Sequence, residues 1–315
     1  MKGFYTTARL DEVEALIGKA ADVQGRSLWD DALRRLIRNR AAVVSIVILC
    51  LIALAAVFGP LLLAYDYNYM NYDIVSCAPD WWPDSVVLCN AGGTHWFGTD
   101  SLGRDLLART LIGARVSLAV GLIATVVSLV IGVAYGATAG YLGGRVDELM
   151  MRFVDVLYSI PYIFLVIILM VIFNRNFYLL FVAIGAVEWL TMSRIVRGQT
   201  LSLKQKEFVE AARASGVSDF GIIARHIVPN VFGPVVVYVT LTVPASILAE
   251  SFLSFLGLGI QEPLTSWGVL ISDGANQMET APWMLLFPAA FMAVTLFCFN
   301  FIGDGLRDAL DPKDR

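Results

Sequence analysis

The 315-residue sequence has little charge and few of the side chains from which catalytic and metal centres are built. Lys, Arg, Asp and Glu make up 16% of it, against about 25% in ordinary soluble domains. Only two histidines and four cysteines occur. His95 and His226 stand apart, and no cysteine cluster has ligand spacing, which argues against a structural zinc site. A net charge of −4 gives no footprint for nucleic acid. The phosphate loop G-x-x-x-x-G-K-[ST] is missing; the one Gly-Lys pair, Gly18-Lys19, is followed by Ala20. H-E-x-x-H, G-x-S-x-G and the dinucleotide fingerprint are missing too. A chain without them is not expected to be an enzyme or to hold a cofactor of its own. If it drives a solute uphill, the energy must come from an ion gradient or from another subunit.

What abounds is apolar surface, at 57% of the residues. A hydrocarbon core of about 30 Å needs roughly 20 apolar residues per helix. Six segments qualify: Ala41–Ala64, Val116–Ala139, Phe153–Phe173, Phe177–Ile195, Val231–Leu258 and Trp283–Ile302. The expected fold class is an all-α integral membrane protein with six transmembrane helices. The first run is too long and too far from the start for a cleaved leader. Cys50 and Cys298, inside apolar runs, read as small hydrophobes. Of the 23 Lys and Arg residues, all but Arg104, Arg109, Arg115 and Arg175 fall on one side of this map. The positive-inside rule then places both termini and the segment Lys206–Asn230 in the cytoplasm.

Local patterns refine the map. Ser27 and Asp30 make a capping-box-like start, after which Trp29, Leu33, Leu36 and Ile37 share one helical face. This helix is expected either along the inner membrane surface, with Arg34, Arg35 and Arg38 at the lipid phosphates, or as a plain basic flank. Gly132, Gly136 and Gly140 recur every four residues and let another helix come close. Pro161 is expected to kink the third span. Glu188 falls near the middle of the fourth, where an ionisable group is costly and a functional candidate. Three roles stay open for it: lining a translocation cavity, relaying protons, or pairing with a polar group on a neighbouring helix. Glu250 is expected near the outer end of the fifth span.

The stretch KEFVEAARASGVSDFGIIARHIVPN, Lys206 to Asn230, is polar between two apolar runs. Good helix formers run from Lys204 to Ser215, and Gly216 then permits a left-handed stop. Ser218 is a plausible N-cap for a second helix, Asp219–His226, which Pro229 would close. Ala211 and Ala212 would leave the first helix slim near the corner. A mere reconnection needs only a few residues, so helix, glycine corner and helix read as a docking knob for a soluble partner.

Here the residues carry a resemblance. Glu210-Ala211-Ala212, three residues, Gly216, nine residues, then His226-Ile227-Val228-Pro229 resembles the EAA loop of membrane subunits in binding-protein-dependent ABC importers. The usual ending is Ile-x-Leu-Pro; His226 and Val228 stand at the Ile and Leu positions. Phe97-Gly98-Thr99-Asp100 with Gly103-Arg104-Asp105 is similar to the entry of the core in the dipeptide/oligopeptide/nickel permease family, as is Gly113 to Leu118. Phe252 to Gly259 with Ser266-Trp267-Gly268 is similar to the end of that family's fifth span, and Phe299 to Pro312 to its tail. Together with Gly25 to Trp29, these resemble the C-type subunit, oligopeptide branch, of Gram-negative bacteria.

The resemblance implies a type I ABC importer permease fold in the bacterial inner membrane. The partners it implies are a related B-type permease, two cytoplasmic ATPases holding ATP and magnesium, and a periplasmic peptide-binding protein. It implies that Glu210, Ala211, Ala212 and Gly216 couple the bundle to the ATPase. The expected organisation is a cytoplasmic segment with an amphipathic helix (1–40), a first span (41–64), a periplasmic loop (65–112), a core permease domain (113–305) containing the 204–229 loop, and a cytoplasmic tail (306–315).

The outer loop 65–94 is rich in Tyr and Trp and carries Cys77 and Cys89, in a compartment where disulfides persist. They are read as a disulfide or as two free thiols; a bridge over so short a loop would contribute about 3 kcal/mol. The loop is read as a seat for the loaded binding protein or as a lid packed at the membrane surface. Dipeptide or nickel import, a gradient-driven carrier using Glu188, and a non-transporting scaffold are the other functions weighed.

Overall fold

A computed structural model describes residues 28–82, 94–172 and 177–310. Among the described residues the elements are helical; an isolated β-bridge joins Thr99 and Asp105. Helix α1 (Leu28–Arg38) leads through Asn39, whose side chain accepts from the Ala42 N–H at 3.2 Å, into α2 (Arg40–Leu62). Helices α3 (Leu106–Leu142), α4 (Gly144–Tyr158), α5 (Tyr162–Ile172) and α6 (Phe177–Leu203) follow. Next come the short α7 (Glu207–Ala214) and α8 (Asp219–Ile222), then α9 (Val228–Phe255), α10 (Trp267–Asn276) and α11 (Trp283–Leu310).

Among the described residues, four helical runs are long and apolar enough to cross a membrane: α2, α3, Asp219–Phe255 and α11. The third expected span, Phe153–Phe173, is not one helix. Helix α4 and Tyr162–Leu169 meet at 88°, a broken pair that makes a fifth candidate. The anticipated kink is thus a corner. Pro161 has no N–H to donate and disfavours helical geometry at Ile160, while Ser159 Oγ turns back onto the Val156 carbonyl at 2.7 Å. Helix α6 contains the fourth expected span, Phe177–Ile195, and continues two turns beyond it.

The centre of the bundle is a seam between α3 and α6. A Cβ at Gly132 would lie 2.5 Å from Met192 Cγ, and one at Gly140 2.9 Å from the Arg197 carbonyl. From the other side, a Cβ at Gly185 would lie 2.6 Å from the Ala124 carbonyl. The pairs 124 with 185, 132 with 192 and 140 with 200 climb together, so the two helices run parallel in fixed register. The four-residue glycine spacing is what admits this approach.

Other helices lean on this pair. Helix α2 runs antiparallel to α3, with Gly59 against Leu111 and Arg115 donating to the Ala56 and Val57 carbonyls. Gly121 of α3 meets Val243 and Ile247 of α9, and Gly303 of α11 meets Thr240 and Leu241. Gly305 lies beside Leu36, Asn39 and Ala42. The α1–α2 junction, the ends of α3 and α11, and residues 204–227 therefore gather at one end of the bundle. The described part of the outer loop and α10 gather at the other.

Candidate functional site

The segment between α6 and α9 folds as an elbow. Lys204–Lys206 form a turn, in which Lys204 Nζ donates to the Gly140 carbonyl at 2.9 Å, so α7 starts at Glu207 rather than at Lys204. Gly216 has φ +78°, and its N–H donates to the Arg213 carbonyl at 3.0 Å while the Val217 N–H reaches Ala212 at 3.1 Å. These bonds close α7 in the left-handed manner glycine favours. Ser218 then caps α8, its Oγ accepting from the Gly221 N–H at 3.3 Å.

The second arm departs from expectation. It does not end at His226, and Pro229 does not close it. Ile223–Ile227 winds as a π turn, the Val228 N–H donating to the Ile223 carbonyl, and Pro229 sits in the first turn of α9. Proline is tolerated there because its missing N–H falls where few intrahelical bonds are due, and the wider π winding redirects the carbonyls before it. Asn230 Nδ2 also donates to the His226 carbonyl at 2.7 Å. Asp219 to Phe255 is consequently one continuous rod, 37 residues long.

The elbow has two faces. Val209, Ala212, Ile222 and Ile227 are buried against Ala137 and Tyr141 of α3 and Val196 of α6. Tyr141 also donates its hydroxyl to Asp219 Oδ1 at 3.0 Å, and the Arg213 guanidinium lies 5.4 Å from the centre of its ring. The contact with Tyr141 holds that guanidinium above its ordinary pKa. On the outer face Glu207, Phe208, Glu210, Ala211, Gly216 and Phe220 are exposed, Phe220 by 81%. Glu210, Ala211 and Gly216 thus share the open face. Ala212 does not: it packs beneath the corner, where a larger side chain would lift α7 off α3. The exposed Phe208 and Phe220 were missed by sequence reading, although two phenylalanines in a polar segment are a usable signal for a partner-covered face.

The remaining candidates lie elsewhere. Glu188 is on α6 within the bundle, partly buried, and no hydrogen bond or ion pair engages it among the described residues. Cys77 is buried and disulfide-bonded at the opposite end, whereas Cys50 and Cys298 are free thiols. Cys89 lies outside the described residues. The Cys77 N–H donates to Thr99 Oγ1 at 2.9 Å, and Phe97 stacks on Phe287 with centroids 4.1 Å apart. Residues 94–105 thereby join the start of α11 to the described part of the outer loop.

That end also holds a polar network around Asp100. Its Oδ1 accepts from the Leu102 and Arg104 N–H groups at 2.9 Å, and its Oδ2 lies 2.7 Å from Arg104 Nε and 3.3 Å from Arg109 Nε. Arg104 also bonds Glu262 Oε1 at 2.8 Å. Burial works against the Arg104 charge, but Glu262 and Asp100 outweigh it and raise its pKa. Burial pushes the Asp273 carboxyl up against the pull of Arg109 and Arg104. Asp105 caps α3 by accepting from the Ala108 N–H at 2.7 Å, and its other oxygen lies 2.7 Å from His95 Nδ1. Glu250, fully buried at the outer end of α9, accepts from Ser254 at 2.6 Å and Ser266 at 2.7 Å, and Ser266 caps α10.

Comparison with known proteins adds three findings. Residues 132–315 match the family described as binding-protein-dependent transport system inner membrane component, and residues 27–79 match the N-terminal TM domain of oligopeptide transport permease C. The chain is similar to the oligopeptide transport system permease protein OppC of Haemophilus influenzae, 55% identical over 307 residues covering 97% of this chain and 96% of the relative. It is similar to the Escherichia coli protein of the same name, 60% identical over 294 residues covering 93% and 94%. A chain of the MetNI methionine ABC transporter, solved in inward-facing conformations, shares the fold with a TM-score of 0.54 at 18% identity, over 65% of this chain and 96% of that one.

Proposed function

The chain belongs to the binding-protein-dependent transport system inner membrane components and is a permease subunit of an ABC importer, not itself an enzyme; we propose that its cargo is oligopeptides, carried inward across the bacterial inner membrane. The 60% identity to the E. coli oligopeptide permease supports this cargo over dipeptides or nickel. Membership of the family implies partner permease and ATPase subunits. In this proposal the partners are a B-type permease, two cytoplasmic ATPases that hold ATP and magnesium, and a periplasmic peptide receptor.

The observation that carries the mechanism is the elbow. Its outer face offers two exposed phenylalanines beside Glu207 and Glu210, a surface for the ATPase to grip. Its second arm is continuous with α9, so a push on the corner tilts a whole span rather than bending a loop. ATP and the loaded receptor must favour the same conformer, because a ligand shifts an equilibrium only through differential affinity. Glu210, Ala211 and Gly216 contact or shape the ATPase seat, and Ala212 holds α7 close to α3. On the receptor side, Cys77 pairs with Cys89 and stiffens the outer loop.

The test is reconstitution of the full complex with its receptor. Glu210→Arg is expected to leave the permease folded and in the membrane while ATPase subunits no longer co-purify stoichiometrically. Full co-purification with wild-type peptide uptake would remove the coupling role.

A further inference from the structure

Lys204 stands where α6, the elbow and α3 meet. Its backbone belongs to the turn that leaves α6, the Lys204 N–H donating to the Thr200 carbonyl at 2.9 Å. Its half-buried side chain crosses to α3, where Nζ donates to the Gly140 carbonyl at 2.9 Å. Gly140 lies in the last turn of α3, where carbonyls lack partners within the helix. A lysine there satisfies one of them and sets its charge at the negative end of the helix dipole. Tyr141, the next residue, holds α8 through Asp219. The elbow thus grips the end of α3 at two successive residues.

A joint follows that grip. Gly143 and Gly144 have φ +67° and +56°, and α4 starts at the second of them. A Cβ on Gly143 would lie 2.9 Å from Lys204 Nζ, so the lysine sits on the joint itself; one on Gly144 would meet nothing within 4 Å. Helix α4 is lightly seated: of its 15 residues only Asp147 and Val154 are buried. An open cleft of about 810 Å³ lies between it and Arg194 and Arg197 of α6. Polar links hold it across that gap. Arg197 bonds Asp147 at 2.5 and 2.7 Å, Arg194 bonds Asp155 at 2.6 Å, and Tyr135 of α3 donates to the Met150 carbonyl at 2.8 Å. Beyond its far end the chain turns 88° into α5. A helix with a glycine joint at one end, a corner at the other and few buried side chains can swing as a unit.

We propose that Lys204 is a positioning residue for coupling: it carries movement of the elbow to the Gly143–Gly144 joint, so that α4 swings against α6 when the ATPase closes. This rests on the importer reading and deepens it. The push on α9 tilts one span, and the pull through Lys204 moves a second helix in the same stroke. The bidentate Arg197–Asp147 pair, close to the joint, is the pivot. The Arg194–Asp155 pair, open to solvent on both sides and farther out, breaks and re-forms at small cost.

The experiment uses the reconstituted complex with its receptor, spin-labelled only at Leu149→Cys on α4 and Val130→Cys on α3 in a Cys50→Ser chain. Both positions are exposed, Leu149 by 72% and Val130 by 63%. With Lys204 intact, the distance between the labels is expected to differ between the nucleotide-free and vanadate-trapped states. Lys204→Met is expected to remove most of that difference. It should also cut uptake of labelled trialanine about tenfold, the weight of a lost charged hydrogen bond. The ATPase subunits should still co-purify, and receptor-stimulated hydrolysis should continue. Lys204→Arg, which can also donate to the Gly140 carbonyl, should restore both the difference and the uptake. No difference with Lys204 intact overturns the proposal, as does an undiminished difference or wild-type uptake in Lys204→Met. So does a Lys204→Met complex that loses its ATPase subunits, which marks the lysine as a prop for the fold of the elbow. Failure of the importer reading itself looks different: the unaltered complex would show no ATP- and receptor-dependent uptake.

Discussion

Gly216 separates two effects that usually act together. A side chain there would meet no atom within 4 Å, yet the backbone stands at φ +78°. The cost of replacement is therefore conformational, about 1–2 kcal/mol for most residues and less for Asn. Gly216→Val is expected to redirect the corner without loosening the bundle, so membrane abundance and melting hold while peptide uptake falls; Gly216→Asn should retain most uptake. Asp100 behaves oppositely. It is the shared counter-ion of two buried arginines, and Asp100→Asn leaves Arg109 without its ion-pair partner and Arg104 with Glu262 alone, a loss of about 3–5 kcal/mol seen as a lowered melting temperature. Glu262, whose side chain is 55% exposed, contributes far less, about 0–1 kcal/mol on Glu262→Gln by the same measurement.

Among the elements, the parallel α3–α6 seam makes the firmest prediction. A Cβ at Gly136 would collide with the Ser193 carbonyl and approach Val196 Cβ to 2.9 Å, and backbone cannot rotate away as a side chain does. Gly136→Leu is expected to destabilise the fold by about 1–3 kcal/mol or to prevent it, read as loss of detergent-resistant, monodisperse complex. The seam was legible because glycine spacing is a local signal. So were the Gly216 corner and the Ser218 cap, each fixed by one or two residues. The continuity through Pro229 was not, since the rule that proline ends a helix says nothing of a π turn that feeds it into a first turn. Nor was the inward face of Ala212, which depends on how α7 lies against Tyr141. The Asp100–Arg104 pair has helix-like i,i+4 spacing in a loop, a faint signal; the approach of Arg109 and Glu262 is tertiary and leaves none.

At the scale of the molecule, the elbow, the α1–α2 junction and the end of α11 share one end, and the uneven spread of Lys and Arg predicts that this end faces the cytoplasm. Thiol labelling can check this with little background, because Cys50 and Cys298 lie within α2 and α11 and Cys77 is bonded. Ser215 and Trp96 are both exposed, at opposite ends. With a membrane-impermeant maleimide, Ser215→Cys is expected to label only in inside-out vesicles and Trp96→Cys only in right-side-out ones; the reverse pattern would invert the transporter and remove the ATPase from the elbow. The unaltered chain decides the outer loop in the same assay. If Cys77 pairs with Cys89, right-side-out vesicles stay unlabelled until a reductant is added and then take up label at both positions. Labelling without reductant would mean that Cys89 is free and that the loop is stiffened only by its packing on α11.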